Sequence, residues 1–215
     1  MVSDMSSTAH PESARQGRTG RPRSAETDAA ILAATRASLV QVGWSKLTMG
    51  DVAARAGVAK TTLYRRWTNK NELVVDAVAV LFDELELPDR GSLEADVEGV
   101  VLQFADLLAQ PETKTALMGV VAESTCDDAL RRRIREAIVE RQKRLVVEGR
   151  ERAQARGELP YEADPETEAR NTDLIFDVVA GAVVHRALVS AEPVDAEWAR
   201  RFTTLLVSGL GALPS

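Results

Sequence analysis

Thr48-Met49-Gly50-Asp51-Val52-Ala53-Ala54-Arg55-Ala56-Gly57-Val58-Ala59-Lys60-Thr61-Thr62-Leu63-Tyr64-Arg65-Arg66-Trp67 is the stretch that decides how the rest of the chain is read. Thr48 followed three positions later by Asp51 has the form of a capping box, with Asp where Glu is usual. A short helix begins there and presents Val52, Ala53 and Ala56 inward. The small side chains at 53 and 56 let a second helix come close, Gly57 supplies a tight turn, and Val58 plugs the gap between the two helices. A second helix is expected from about Lys60 to Trp67, with Leu63 on its core side. Two short helices joined by a glycine turn make a helix-turn-helix, whose second helix enters the major groove of DNA by its N-terminal end.

The side chains on that second helix suit the task. Lys60, Thr61 and Thr62 occupy its first turn, where an ammonium and two hydroxyls can reach base edges and phosphates. Tyr64 can bond a phosphate through its hydroxyl, and Arg65 adds charge on the outer face. Asn69-Lys70-Asn71-Glu72 is a second capping box, and its helix N-terminus together with Lys70 offers another phosphate site. Upstream, Gly17-Arg18-Thr19-Gly20-Arg21-Pro22-Arg23 has the Gly-Arg-Pro core of short segments that slide arginine into a narrow minor groove. A solvated basic tail with only non-specific attraction is the competing reading of that segment. The candidate DNA contacts are therefore Arg21, Arg23, Thr48, Lys60, Thr61, Thr62, Tyr64, Arg65 and Lys70.

The charge distribution fits a polyanionic partner for the front of the chain, with two solvated surfaces that merely differ in sign as the competing reading. Up to Lys70 there are 11 Lys+Arg against 5 Asp+Glu, and from Asn71 onward 16 against 28, so a net charge of −6 conceals a basic front and an acidic remainder. With 215 residues and 45% hydrophobic content the chain can bury a core. One cysteine, Cys126, excludes an intramolecular disulfide framework and a cysteine-rich zinc site. His10 and His185 are the whole histidine complement, which argues against a His-rich catalytic metal centre. No paired nucleophile and base or phosphate-cradling glycine loop is present, so an enzyme is not expected, nor is a cofactor. The first residues are polar and no run of 18 apolar residues follows, so no secretion signal or membrane span is visible, and a cytoplasmic protein is the expectation.

Along the chain, residues 1–24 hold almost no large apolar side chain and read as a flexible basic arm. Helical spacing starts at Ala25, with Ile31, Leu32, Leu39 and Val42 on one face and Gly43 as a stop. Shorter helical pieces follow to about Leu85, and Leu87-Pro88-Asp89-Arg90-Gly91-Ser92 breaks the pattern. Longer helices are expected over Leu93–Ala109, Thr113–Glu123, Asp127–Arg156, Pro165–Ser190 and Ala196–Leu210, with Asp164 and Pro165 as an N-cap and N1 pair. No strand-like alternation of useful length is present. The chain is all-α.

From Ile31 to Leu73 the chain resembles the DNA-binding region of the TetR/AcrR family of bacterial transcriptional regulators. The resemblance rests on the Thr-x-x-x-Val-Ala-x-x-Ala-Gly-Val core (Thr48 to Val58), on Thr-Leu-Tyr-x-x-Trp (Thr62 to Trp67) and on Lys70 followed by Leu73. It implies an N-terminal three-helix DNA-binding unit with a linking fourth helix, over residues 25–86. It implies further a C-terminal helical bundle, over residues 92–215, that binds a small-molecule effector and forms a homodimer through its last two long helices. The partners so implied are double-stranded DNA with a palindromic operator, a second copy of the chain and the effector. One departure is Ala59, where the family usually has a serine that caps the recognition helix. Losing such a cap typically costs on the order of 1 kcal/mol.

An effector would need a cavity after Gly91. Leu102, Phe104, Leu107, Met118, Val121, Phe176, Val179 and Val183 are candidate lining residues, and His185 a candidate polar group among them; packing of a helical bundle needs the same residues, and core is the better reading of each. Cys126 reads as a small hydrophobe, with a redox sensor beside Arg131 and Arg132 as the alternative. The Arg131–Arg135 run reads as a solvated helix face balanced by Glu136 and Glu140. Ile175, Val178, Ala182 and Leu188 and then Phe202, Leu205, Leu206 and Leu210, with Gly181, Gly209 and Gly211, fit a dimer interface or an internal core equally well. The function expected is that of a homodimeric DNA-binding repressor released by a small molecule. A DNA-binding regulator without an effector, and a helical carrier or enzyme, are the alternatives.

Overall fold

The computed structural model describes residues 22–211, with side chains from residue 25 onward. Among these residues there are helices and connections and no strand. The order is α1 (Pro22–Lys46), α2 (Met49–Arg55), α3 (Lys60–Tyr64), α4 (Lys70–Phe82), α5 (Leu93–Ala109), α6 (Pro111–Ser124), α7 (Asp128–Ile134), α8 (Glu140–Ala155), α9 (Pro165–Val184) and α10 (Ala196–Leu210). π-helical segments follow α7 at Arg135–Val139 and α9 at His185–Val189.

Local chemistry sets most of the boundaries. Gly43, at φ 74° and ψ 174°, breaks α1 where a glycine stop is expected, but one more helical turn reaches Lys46 beyond the kink. α1 also starts at Pro22, three residues earlier than the spacing of apolar residues indicates. α5, α7, α9 and α10 begin on side-chain caps: Ser92 accepts from Ala95 N–H at 3.2 Å, Asp127 from Leu130 N–H at 2.9 Å, Asp164 from Thr167 N–H at 2.9 Å and Asp195 from Trp198 N–H at 2.8 Å. Each such bond satisfies one of the orphan donors of a first turn.

α4 is the axis of the packing. Leu73, Val74, Val75, Ala77 and Val78 are fully buried, so the helix is covered on nearly every side. α1, α6, α7 and the π segment that follows α7 pack around it. α5 packs in turn against α6, α8, α9 and α10. Between α4 and α5 the chain is strapped down rather than loose: Arg144 donates to the Leu85 carbonyl at 2.8 Å and Arg152 to the Leu87 carbonyl at 3.0 Å. The fully buried Asp96 accepts the Arg90 N–H at 2.6 Å and the Arg156 guanidinium at 2.8 Å. Two cores result, a large one running from α1 to α10 and a smaller one of Leu93, Ala153, Ile175 and Leu210.

Candidate functional site

α2 and α3 form the compact pair that the glycine turn requires. Val52 and Leu63 are fully buried and Ala53 nearly so, while Gly57 takes φ 67°, a conformation that strains any residue with a Cβ. Thr48 caps α2 by accepting from Asp51 N–H at 3.1 Å and donates its own hydroxyl to Asp51 Oδ2 at 2.6 Å. The box closes on the threonine hydroxyl instead of its backbone. Ala59 stands at the N-cap of α3 with no side-chain bond, so the recognition helix starts uncapped. Helical bonding continues past Tyr64, through Arg65 N–H to Thr61 O at 3.2 Å and Trp67 N–H to Leu63 O at 2.9 Å.

The exposed face of this unit gathers most of the candidate DNA contacts. Thr48, Lys60, Thr61, Tyr64 and Arg65 are exposed, with Tyr64 at 55%, and Thr62 is half-buried. Lys60 lies across the start of α2, where a Cβ on Gly50 would come within 2.9 Å of its Cε and Nζ. The Lys70 ammonium is engaged by Trp44, donating to the Trp44 carbonyl at 2.9 Å and sitting 5.1 Å from the ring centroid. Lys70 thus fastens the start of α4 to the end of α1 in addition to carrying charge. Arg21 lies outside the described residues; Arg23 falls in the first turn of α1, and its side chain is outside them too.

Asp76 is a residue whose importance the motifs did not announce. Its Oδ2 accepts from the indole N–H of Trp67 at 2.9 Å, and its Oδ1 from Arg133 at 2.5 Å. One carboxylate therefore ties the end of the recognition segment, through α4, to α7. An ion pair between Arg66 and Asp28 fastens the same segment to α1. Asn71 adds a bond from α4 to Asp127, the cap of α7, at 3.1 Å.

Beyond α4 lies a cavity of about 280 Å³, walled by α4 to α10, the connection between α4 and α5, and the π segment after α7. Phe82, at the end of α4, reaches it and meets Phe104 with ring centroids 5.9 Å apart. Of the residues considered for lining, Phe104, Val121, Phe176 and Val179 are at the wall. Leu102, Leu107, Met118, Val183 and His185 are not: Leu107 and Val183 are buried in the core, Leu102 is half-buried against it, and Met118 and His185 are exposed. Helical spacing tells which residues share a face, not which of two inner surfaces the face meets. Gln142 and Arg150 are the polar side chains of the wall. The spacing Ile138, Gln142, Leu145, Gly149, all buried at helical intervals, is the signal that would have placed Gln142 inward.

The apolar stripes of the last two helices divide. Ile175, Leu206 and Leu210 turn in to the cavity, whereas Leu174, Val178 and Leu205 are exposed at 48%, 41% and 74%. A Cβ placed on Gly181, Gly209 or Gly211 would meet nothing within 4 Å. Trp198 stacks on Phe202 with centroids 5.1 Å apart beside the same surface. Cys126 is exposed, contrary to its reading as a small buried hydrophobe; the loop before the Asp127 cap carries it to the surface.

The chain matches two family models: that of bacterial regulatory proteins of the tetR family over residues 31–77, and that of the tetracyclin repressor-like C-terminal domain over residues 87–206. It is 28% identical to the HTH-type transcriptional regulator YdeS of Bacillus subtilis, over 92% of this chain and 96% of that protein. It is 31% identical to the DNA-binding transcriptional repressor TetR of Mycobacteroides abscessus, over 78% of this chain and 84% of that protein. The crystal structure of the TetR family transcription regulator SCO0332 superposes with a TM-score of 0.68 at 28% identity, covering 86% of this chain and 98% of that one.

Proposed function

The chain belongs to the TetR family of bacterial transcriptional regulators, and from that premise we propose that it is a homodimeric repressor released from its operator by a small molecule bound in the C-terminal half. That it is a DNA-binding transcriptional regulator and not an enzyme follows from the family. Among the described residues no helix is long and apolar enough to cross a membrane, in keeping with a protein that works on DNA in the cytoplasm.

The observation that carries the proposal is the double engagement of α4. Through Asp76 it holds the Trp67 end of the recognition segment, and through Phe82 it forms part of the cavity wall. A molecule that displaces Phe82 therefore moves the element on which the DNA-contacting unit is mounted. Two recognition helices in a dimer reach successive major grooves only at a separation of about 34–36 Å. A ligand that prefers another separation shifts the population away from the DNA-bound form.

The division of labour places the basic arm in residues 1–24, DNA binding in residues 25–86, and the ligand and dimer functions in residues 92–215. Lys60, Thr61 and Thr62 face the bases and phosphates, Tyr64 and Arg65 the backbone, and Lys70 a flanking phosphate while holding Trp44. Arg21 and Arg23 extend the contact into the minor groove. The outward stripe of Leu174, Val178 and Leu205, with bare glycines beside it, supports dimerisation through α9 and α10. Repression is supported by the relative from Mycobacteroides abscessus, which is a repressor. Run-off transcription from the protein's own promoter tests this: added protein is expected to reduce the transcript, and an increase would make it an activator.

A further inference from the structure

Resting on the reading that the cavity is a ligand site, we propose that it takes a neutral, chiefly apolar small molecule carrying one group that both donates and accepts a hydrogen bond, and that Gln142 reads that group. The class intended is a long-chain alcohol or carboxamide rather than a fatty-acid anion or a lipophilic cation.

Gln142 sits in the wall of the cavity and is only 5% exposed, yet neither its Oε1 nor its Nε2 has a hydrogen-bond partner. A primary amide carries two N–H donors and one carbonyl acceptor, and leaving it buried and unpaired is destabilising. Among hydrophobic neighbours such as Ile138 and Leu145 a leucine would fit the same stripe without that cost, so the amide is explained by something that enters the cavity. Apart from Arg150 the remaining wall is apolar, which calls for an apolar body on the ligand.

Charge balance sets the rest of the specificity. Among the described residues no carboxylate lines the cavity, so a cationic ligand finds no counter-charge there. Among the described residues Arg150 is the only cation in the wall, and it is already committed: it pairs with Glu162, and donates to the Glu168 carbonyl at 2.9 Å and the Thr172 hydroxyl at 3.0 Å. Glu162 is itself held by Gln154 at 2.9 Å and Asn171 at 3.3 Å. An anionic ligand would have to break that cluster to gain a partner, whereas a neutral one needs only the idle amide.

The experiment uses the full chain without DNA and reads displacement of the neutral dye N-phenyl-1-naphthylamine by five probes of equal chain length: decanamide, 1-decanol, decyl methyl ether, decanoate and decyltrimethylammonium. Decanamide and decanol are expected to displace the dye at about tenfold lower concentration than the ether, which accepts but cannot donate, and both ions to be weaker still. In Gln142→Leu the preference for decanamide over the ether disappears, because decanamide loses both hydrogen bonds to the amide whereas the ether loses at most the one it accepts. The same variant without ligand melts at a higher temperature than the parent, because an unpaired buried amide has gone. Equal displacement by all five probes, displacement by none, or an amide preference that survives Gln142→Leu would overturn the proposal. DNA anisotropy with decanamide separates this from the regulatory reading. If decanamide binds through Gln142 and leaves DNA bound, release by ligand fails and the ligand class stands.

Discussion

Trp67 donates its indole N–H to Oδ2 of Asp76 across 2.9 Å, fastening the residue that closes the recognition segment to the middle of α4. Trp67 is 6% exposed, so this bond is made inside the protein, and the other oxygen of the same carboxylate is taken by Arg133.

Asp76→Ala should therefore act on stability and on DNA binding together. It strands a buried indole N–H and releases Arg133, at an expected cost of about 1–3 kcal/mol in urea unfolding. Anisotropy should show weaker binding to specific DNA. Unfolding unchanged within error would mean that the carboxylate is not a structural tie.

Ala59→Ser should stabilise the uncapped start of α3 by about 0.5–2 kcal/mol, since serine can accept from a first-turn N–H. Thermal melting checks the stability and a DNA titration the affinity. A lower melting temperature would show that the α3 start tolerates no side-chain oxygen.

Changes on the exposed face should separate affinity from selectivity. Tyr64→Phe is expected to weaken binding to every duplex, and Lys60→Ala to do so with a salt slope shallower by about 1. Substituting Thr61 or Thr62 should alter which operator is preferred. Equal losses on specific and random DNA for the threonine changes would remove them from base reading. Lys70→Ala should lower stability as well as affinity, because its ammonium holds the Trp44 carbonyl.

Acid should loosen the start of α9. The Thr167 backbone N–H, the Thr167 hydroxyl and the Glu166 N–H hold the Asp164 carboxyl below its ordinary pKa, with Arg170 adding a smaller push in the same direction. A folded pKa lower than the unfolded one gives stability that is present above about pH 3.9 and is lost as pH falls through the folded value. The stability advantage of the parent over Asp164→Asn in urea titrations should hold from pH 7 to about pH 5 and shrink below it. A constant difference down to pH 3 would assign the cap no titrating role.

What the sequence revealed and what it hid divides along range. Thr48, Asn69 and Asp164 act on backbone groups two or three residues away, so their caps can be read directly. Gly43 and Gly57 are legible because a positive φ demands glycine. The π segments at Arg135–Val139 and His185–Val189 leave no composition signal, since one extra residue per turn costs little in local propensity and is decided by packing. The spacing marks Lys70 as a phosphate contact but not as a tie to Trp44, and it gives Asp76 no role, because their partners Trp44 and Arg133 lie far off in sequence. Gln142 stands at core spacing with Ile138, Leu145 and Gly149, but a polar residue on a charged helix invites assignment to solvent.

Dimerisation has its own test. Leu205 is 74% exposed and makes little of the chain's internal core, so Leu205→Glu should fold normally and sediment as a monomer where the parent sediments as a dimer. A dimer that survives this change would place the interface elsewhere.

The most direct measurement is fluorescence anisotropy of the full chain titrated onto its own upstream DNA and onto a scrambled duplex at two salt concentrations. Selective, salt-dependent binding at two protomers per site is the predicted result, with dissociation when a neutral ligand fills the cavity. Absence of binding to either duplex at low salt would contradict the account.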